Sequence, residues 1–274
     1  MQHSSTLQDS LDIESQILSQ LSMPNLLSLN RNQKLKLLEL LQAKLRRKQR
    51  NQISTWFNTP EVRAGYPKQM QFFRHGLHFT ERGLFGGNRT GKTHAGVYED
   101  VCHLTGVYPD WWPGCKFDHP VNWWAATDTA KNTRDILQEK FCGKPGNMAA
   151  LGTGMIPGDL LLRHTVKHGI ADAYESVFVR HVPTGGISTL QFKSYDQGRE
   201  AFQGTKNDGI HLDEEPSLDI YVECLLRLMS TVIGEPSGML ILTMTPLNGI
   251  TPLMLQYLPE LSPIPLEERV SAHG

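Results

Sequence analysis

The run Gly86-Gly87-Asn88-Arg89-Thr90-Gly91-Lys92-Thr93 constrains this chain more than any other feature. It satisfies the pattern GxxxxGK[ST] at every fixed position. It follows an apolar run, Gly83-Leu84-Phe85, that can form a strand, and it precedes His94-Ala95-Gly96-Val97-Tyr98, which can open a helix. Strand, glycine-rich turn and helix N-terminus in that order make a phosphate cradle. The glycines let backbone N–H groups turn inward around an anion, and the helix end adds partial positive charge. In such a cradle Lys92 reaches the β- and γ-phosphates of a nucleotide and the Thr93 hydroxyl ligates magnesium. The alternative is a chance match in a glycine-rich turn, against which the flanking strand and helix patterns argue.

A cradle alone does not hydrolyse a nucleotide; it needs acids aimed at the same crevice. Gly209-Ile210-His211-Leu212 is a short apolar run that ends abruptly in Asp213-Glu214-Glu215. In a parallel sheet the C-terminal strand ends face the ligand crevice. Asp213 is then placed to hold the magnesium shell, mostly through water, and Glu214 to polarise an attacking water as general base. Glu215 is either structural or a spare acid. The bland alternative is a strand running into an acidic turn. A further run, Met239-Leu240-Ile241-Leu242, leads into Thr243-Met244-Thr245-Pro246. Hydroxyls of Thr243 and Thr245 at that strand end can sense the γ-phosphate or hold the water, although threonine also has plain β-propensity. Upstream lies Tyr66-Pro67-Lys68-Gln69. The Gln69 amide can donate to and accept from an adenine edge, and Tyr66 can stack on the ring; a turn before an amphipathic helix is the other reading.

Strand-like and helical runs alternate from Pro60 to about residue 250. The strand-like runs are 83–85, 121–126, 176–179, 189–192, 209–212 and 239–242, and helices are expected at 93–104, 130–141 and 220–230. This predicts an α/β fold of the P-loop NTPase type, with a mostly parallel sheet flanked by helices. The segment 106–120, rich in Pro, Gly and Trp, reads as a long ordered loop. Residues 1–55 read as a helical arm, with apolar positions at Leu11, Ile13, Ile17, Leu18 and Leu21 and again from Leu35 to Leu45. The cations Lys44, Arg46, Arg47, Lys48 and Arg50 suit a helix C-terminus or a contact with protein or DNA. Residues 56–250 read as the ATPase domain, and the proline-rich 251–274 as a linker or tail.

The apolar content of 39% in 274 residues suffices for one sizeable core. A formal net charge of −1 argues against a dedicated duplex-binding face, so any DNA contact is local or transient. The cysteines, Cys102, Cys115, Cys142 and Cys224, lack CxxC spacing, which disfavours a disulfide framework and suits a reducing compartment. Neither their histidine neighbours nor His164 and His168 match a zinc pattern. No apolar stretch has membrane-spanning length.

In this order and spacing the elements resemble the large terminase subunits of tailed bacteriophages, most nearly the branch found in short-tailed, headful-packaging phages. The resemblance rests on the residues quoted above, with His103-Leu104-Thr105-Gly106, Tyr108-Pro109, Gln197-Gly198-Arg199, Gln203-Gly204, Pro216 and Leu247, and covers roughly residues 35–255. It implies an ATP- and magnesium-dependent motor that drives double-stranded DNA into a procapsid. It implies a ring of like subunits on the portal protein, a small terminase subunit as partner, and a place in the host cytoplasm with no membrane. By that resemblance Lys92 binds phosphates, Thr93 and Asp213 hold magnesium, Glu214 directs the water, Thr243 and Thr245 couple the γ-phosphate state to domain movement, and Gln69 checks for adenine.

Two departures from the family pattern stand out. The residues after Leu247 are too few for the family's RNase H-like nuclease domain, so no nuclease activity is expected of this chain. Many members carry an arginine where this chain has Gln203. Arg199 is the nearest candidate for an arginine finger, with Arg89 and Lys206 as competitors. A helicase-like ATPase and a non-catalytic ATP-binding module are the alternative functions.

Overall fold

The computed structural model describes residues 31–230, 237–258 and 260. The chain divides into two units, 1–48 and 49–274. The described part of the first is essentially one helix, α1, Arg31–Gln49. Its Leu- and Lys-rich sequence has high helix propensity and no internal Gly or Pro, as expected. The earlier pattern at Leu11 to Leu21 lies outside the described residues.

The second unit carries helices α2 (Pro60–Ala64) and α3 (Pro67–His75), strand β1 (Glu81–Phe85), helix α4 (Lys92–Thr105) and strand β2 (Asn122–Thr127). A helical segment at 130–142, α5, follows; its middle, Thr133–Gln138, is a π-helix. Then come β3 (Leu161–Val166), β4 (Tyr174–Arg180), β5 (Ile187–Ser194), β6 (Gly209–Asp213), α6 (Leu218–Leu228), β7 (Met239–Met244) and α7 (Pro252–Tyr257).

The strands form one sheet in the order β1-β7-β6-β2-β5-β4-β3. The pairings from β1 through β5 are parallel, and β5–β4 and β4–β3 are antiparallel. The expected mostly parallel α/β sheet is therefore present. Strand β3 was not anticipated. It lies at the sheet edge, most of its residues are solvent-facing, and Arg163 and His164 interrupt any apolar run.

Side chains alternate across the central strands and so feed two cores. Trp123, Ala125 and Ile241 pack with Val97, Tyr98, Val101 and Leu104 of α4. Trp124, Ala126, Ile210, Leu212, Leu240 and Leu242 pack with Ile220, Tyr221, Cys224 and Leu228 of α6. β6 and β7 are buried along their whole lengths, which explains why apolar residues dominate both, His211 of β6 being a polar exception before the strand ends.

Both expected boundaries of the sheet domain need correction. Residues 50–57, read largely as the end of the arm, belong to the sheet unit: Arg50 Nη2 donates to Leu151 O at 3.0 Å, Gln52 Nε2 donates to Thr153 O at 2.5 Å, and Ile53 and Phe57 are buried in the first core. The start of the supposed tail is helix α7, whose Leu253 and Met254 are buried in the second core. Its Thr251 cap accepts from Met254 N, and the prolines that suggested a linker include Pro252, at a first-turn position where proline is tolerated. No helix among the described residues is long and apolar enough to cross a membrane.

Candidate nucleotide site

β1 ends at Phe85, and the chain turns through Gly86 to Gly91 before α4 begins at Lys92. Gly91 caps the helix in the left-handed region at φ 83°, and Arg89 is also left-handed at φ 62°. Only glycine adopts such a backbone without penalty; Arg89 is held there while Thr90 Oγ1 donates across the turn to Gly87 O at 2.9 Å. The loop therefore presents its backbone to a cleft of about 1060 Å³. Lys92, 7% exposed, donates from Nζ to Gly87 O at 2.9 Å and to Thr245 Oγ1 at 3.0 Å.

The acidic strand arrives beside the loop. Thr93 Oγ1 donates to Asp213 Oδ1 at 2.8 Å, so the two expected magnesium ligands touch across 120 residues of sequence. A hydroxyl and a carboxylate oxygen are the hard donors that magnesium takes, together with water and phosphate oxygens, so these residues fit the ion. Glu214 lines the cleft in a left-handed conformation at φ 64°, a rare state for a residue with a side chain. Its N–H donates to Thr243 O at 2.7 Å, its Oε2 accepts from Thr245 N at 3.0 Å, and its carbonyl accepts from Tyr195 Oη at 2.9 Å. Burial, with the neighbouring Asp213 carboxylate, pushes the Glu214 carboxyl above the ordinary glutamate range, although the Thr245 N–H and Lys92 pull the other way. That direction suits a proton acceptor.

The two threonines separate in role. Thr245 lines the cleft; it receives Lys92 and donates from Oγ1 to Asn88 Oδ1 at 3.0 Å. Thr243 is fully buried, off the cleft wall, and donates to Asp213 Oδ1 at 2.6 Å. The expectation that both hydroxyls face the γ-phosphate is therefore corrected for Thr243: it lies inside β7, two residues deeper than Thr245, which follows the strand end. Glu215 accepts from Thr251 Oγ1 and, at 3.2 Å, from Asn248 Nδ2. It fastens the chain leading to α7.

The cleft also has an aromatic lining. Tyr66 and Gln69 line it, as expected. Gln69 Nε2 donates to Thr90 O at 2.9 Å and so braces the loop as well. Trp56, Phe57, His94, Ile136 and Lys140 also line it, and no motif pointed to them. Trp56 and Phe57 precede the Pro60 boundary, and Ile136 is delivered by the π-helical turn. Burial, with Lys140 nearby, depresses His94 to about 4, so it is neutral at pH 7.

Arg199 is not brought to the cleft of its own chain. It lies in a short helical turn, Arg199–Phe202, and its Nε donates to Glu223 Oε2 at 3.0 Å. Glu223 is 2% exposed and is also held by Arg227 at 3.1 Å. A buried carboxylate thus holds the Arg199 guanidinium away from the cleft of its own chain. Arg89 does line the cleft.

A sheet in which a strand (β7) lies between the phosphate-loop strand and the acidic strand, with Lys92, Thr93, Asp213 and Glu214 gathered at their C-terminal ends, defines a P-loop NTPase. The family described as Terminase large subunit, T4likevirus-type, N-terminal matches residues 84–271, and the chain belongs to the terminase large-subunit family. The large terminase subunit of Salmonella phage P22 is 32% identical over 211 residues, covering 71% of this chain and 41% of that protein. The chain thus spans about two fifths of the length of this curated relative. Two solved structures show a looser likeness. The large terminase ATPase domain of Thermus phage P74-26 aligns at TM-score 0.41 and 16% identity, over 68% of each chain. The large terminase of a thermophilic bacteriophage aligns at 0.43 and 15%, over 71% of this chain and 42% of that one.

Proposed function

We propose that this chain is the ATP-hydrolysing motor part of a DNA-packaging terminase. The observation that carries the reading is the meeting of Lys92, Thr93, Asp213, Glu214 and Thr245 at one cleft. In this reading the P-loop amides and Lys92 hold the β- and γ-phosphates, and Gln69 and Tyr66 face the adenine. Thr93 and Asp213 would hold Mg²⁺, which neutralises charge on the phosphate oxygens when bound. Glu214 orients a water for in-line attack and accepts its proton. Thr245 binds Lys92, Asn88 and Glu214 together, so a change at the γ-phosphate reaches β7 and the chain beyond it.

The partners proposed are double-stranded DNA, a portal protein, a small terminase subunit and further copies of the chain in a ring, with work done in the host cytoplasm while docked on a procapsid. Family membership supports DNA as the load; the rest follows from the family's task. Arg199 is retained as a finger only in trans, on a neighbouring subunit's site, after release from Glu223; Arg89 is its competitor in cis.

The test is magnesium-dependent ATP hydrolysis by the purified chain. Turnover by wild type that falls about 10²- to 10³-fold in Lys92→Ala supports the assignment. Equal turnover in the two proteins sinks it, and ATP-fuelled separation of a short duplex would favour a helicase instead.

A further inference from the structure

Asp100 and His211 are fully buried polar side chains that belong to neither core and do not line the cleft. They lie end to end behind the magnesium carboxylate. Asp100 Oδ2 meets His211 Nδ1 at 2.5 Å, and His211 Nε2 meets Thr243 Oγ1 at 2.8 Å. Thr243 Oγ1 reaches Asp213 Oδ1 at 2.6 Å. The direction of this chain follows from counting hydrogens. A hydroxyl has one to give, and Thr243 gives it to Asp213 Oδ1. His211 must therefore donate from Nε2. Its Nδ1 faces Asp100, whose other oxygen has no hydrogen-bond partner among the described residues. Asp100 thus has His211 as its hydrogen-bond partner and holds the ring by it.

The space for this ring is built in. His211 points from β6 toward α4, and Gly96 of α4 faces it. A Cβ at position 96 would lie 2.4 Å from His211 Cε1. Asp100 stands one helical turn further along the same face. The P-loop helix therefore grips the acidic strand twice, through Thr93 on Asp213 and through Asp100 on His211. Both Thr93 and Thr243 donate to the same oxygen, Asp213 Oδ1. If Thr93 turns its oxygen to an ion, Thr243 remains the donor that holds the carboxylate.

We propose that His211, seated by Asp100, is a positioning residue that, through Thr243, sets the orientation of the Asp213 carboxylate for a divalent cation. The inference rests on the proposed Mg–ATP site. Outer-shell partners of this kind change metal affinity about 10- to 100-fold when removed.

The experiment measures equilibrium binding of a fluorescent ATP analogue to the full chain, with Mg²⁺ and with chelator, so that no turnover is needed. Thr243→Val removes the hydroxyl at nearly equal volume, and Thr243→Ser restores it. His211→Asn keeps a donor toward Asp100 but is too short for Thr243, whereas His211→Gln can still reach Thr243. The expected result is that Thr243→Val and His211→Asn lose about tenfold of the Mg²⁺-dependent gain in affinity, with binding in chelator unchanged. Thr243→Ser and His211→Gln should keep most of the gain. If Thr243→Val does not fold, the Asn and Gln variants at 211 decide. Equal Mg²⁺ gains in those two, or a wild-type gain in Thr243→Val, overturns the proposal. Equal losses with and without Mg²⁺ also overturn it, since they report general damage. A wild-type protein that shows no Mg²⁺ effect on nucleotide binding would instead defeat the site reading beneath it.

Discussion

Glu214 joins a left-handed backbone, a carboxyl lifted above its usual range and a hydrogen bond from Thr245 N–H. A non-glycine residue at positive φ costs on the order of 1 kcal/mol or more. Here the cost is offset by Glu214 N–H on Thr243 O and Tyr195 Oη on the Glu214 carbonyl. Glu214→Gln preserves size and the Thr245 contact but cannot accept a proton. Turnover should fall about 10²- to 10⁴-fold while ATP affinity changes little, as filter binding and a phosphate-release assay can show. Tyr195→Phe removes the hydroxyl that reaches the Asp213 and Glu214 carbonyls at 3.1 and 2.9 Å. It should slow turnover more than it lowers melting temperature. A melting shift with full activity would make Tyr195 a packing residue only.

At the scale of elements, the P-loop helix is held to its neighbours by a second buried network. Arg82 of β1 pairs with Glu99 of α4, with Nη2–Oε1 at 2.8 Å, and donates from Nη1 to Phe72 O at 2.8 Å. His103, one turn on, approaches Glu99 at 3.4 Å and meets Tyr108 Oη at 2.8 Å, and Tyr108 Oη accepts from Phe117 N. This fastens β1, α3, α4 and the 106–120 loop together, and it gives a physical role to the His103 and Tyr108 positions that the resemblance singled out. Burial raises the Glu99 carboxyl, but Arg82 and then His103 outweigh it and hold it below the ordinary range. The sign follows from linkage: a depressed carboxyl contributes stability above its unfolded pKa and loses it as pH falls through the folded one. Arg82→Met strands the Glu99 charge and should cost about 3–5 kcal/mol at neutral pH. Acid should narrow the gap from wild type, because protonating Glu99 removes the stranded charge. Denaturant melts at several pH values check this, and a gap that widens in acid contradicts it.

At the scale of the whole chain, the sheet unit begins at residue 49, before the apparent boundary at Pro60. Removing residues 1–48 should leave ATP-dependent thermal stabilisation intact, because the cleft and both cores lie beyond the cut. Removing 1–57 also takes away Ile53 and Phe57 from the first core and Trp56 from the cleft wall. Loss of a buried Phe alone costs about 3–5 kcal/mol, a large share of a domain's stability. Scanning calorimetry of the two truncations, with and without ATP, separates these outcomes. Equal melting of both would remove residues 49–57 from the domain.

The phosphate loop, the acidic strand end and most of the sheet were legible in the sequence. They depend on local chemistry: glycines for a left-handed turn, a helix start after it, and buried strands that read as mainly apolar runs. The tertiary structure decided what depends on register and on groups far apart in the chain. It moved Thr243 behind Asp213 and left Thr245 at the cleft. It drew Arg199 to Glu223, and it brought Trp56, Ile136 and Lys140 to the cleft. Above all it aligned Asp100 of the P-loop helix with His211 of the acidic strand. A helix repeats every 3.6 residues and a strand every two, and which faces meet is set by packing across the sheet, not by spacing along the chain.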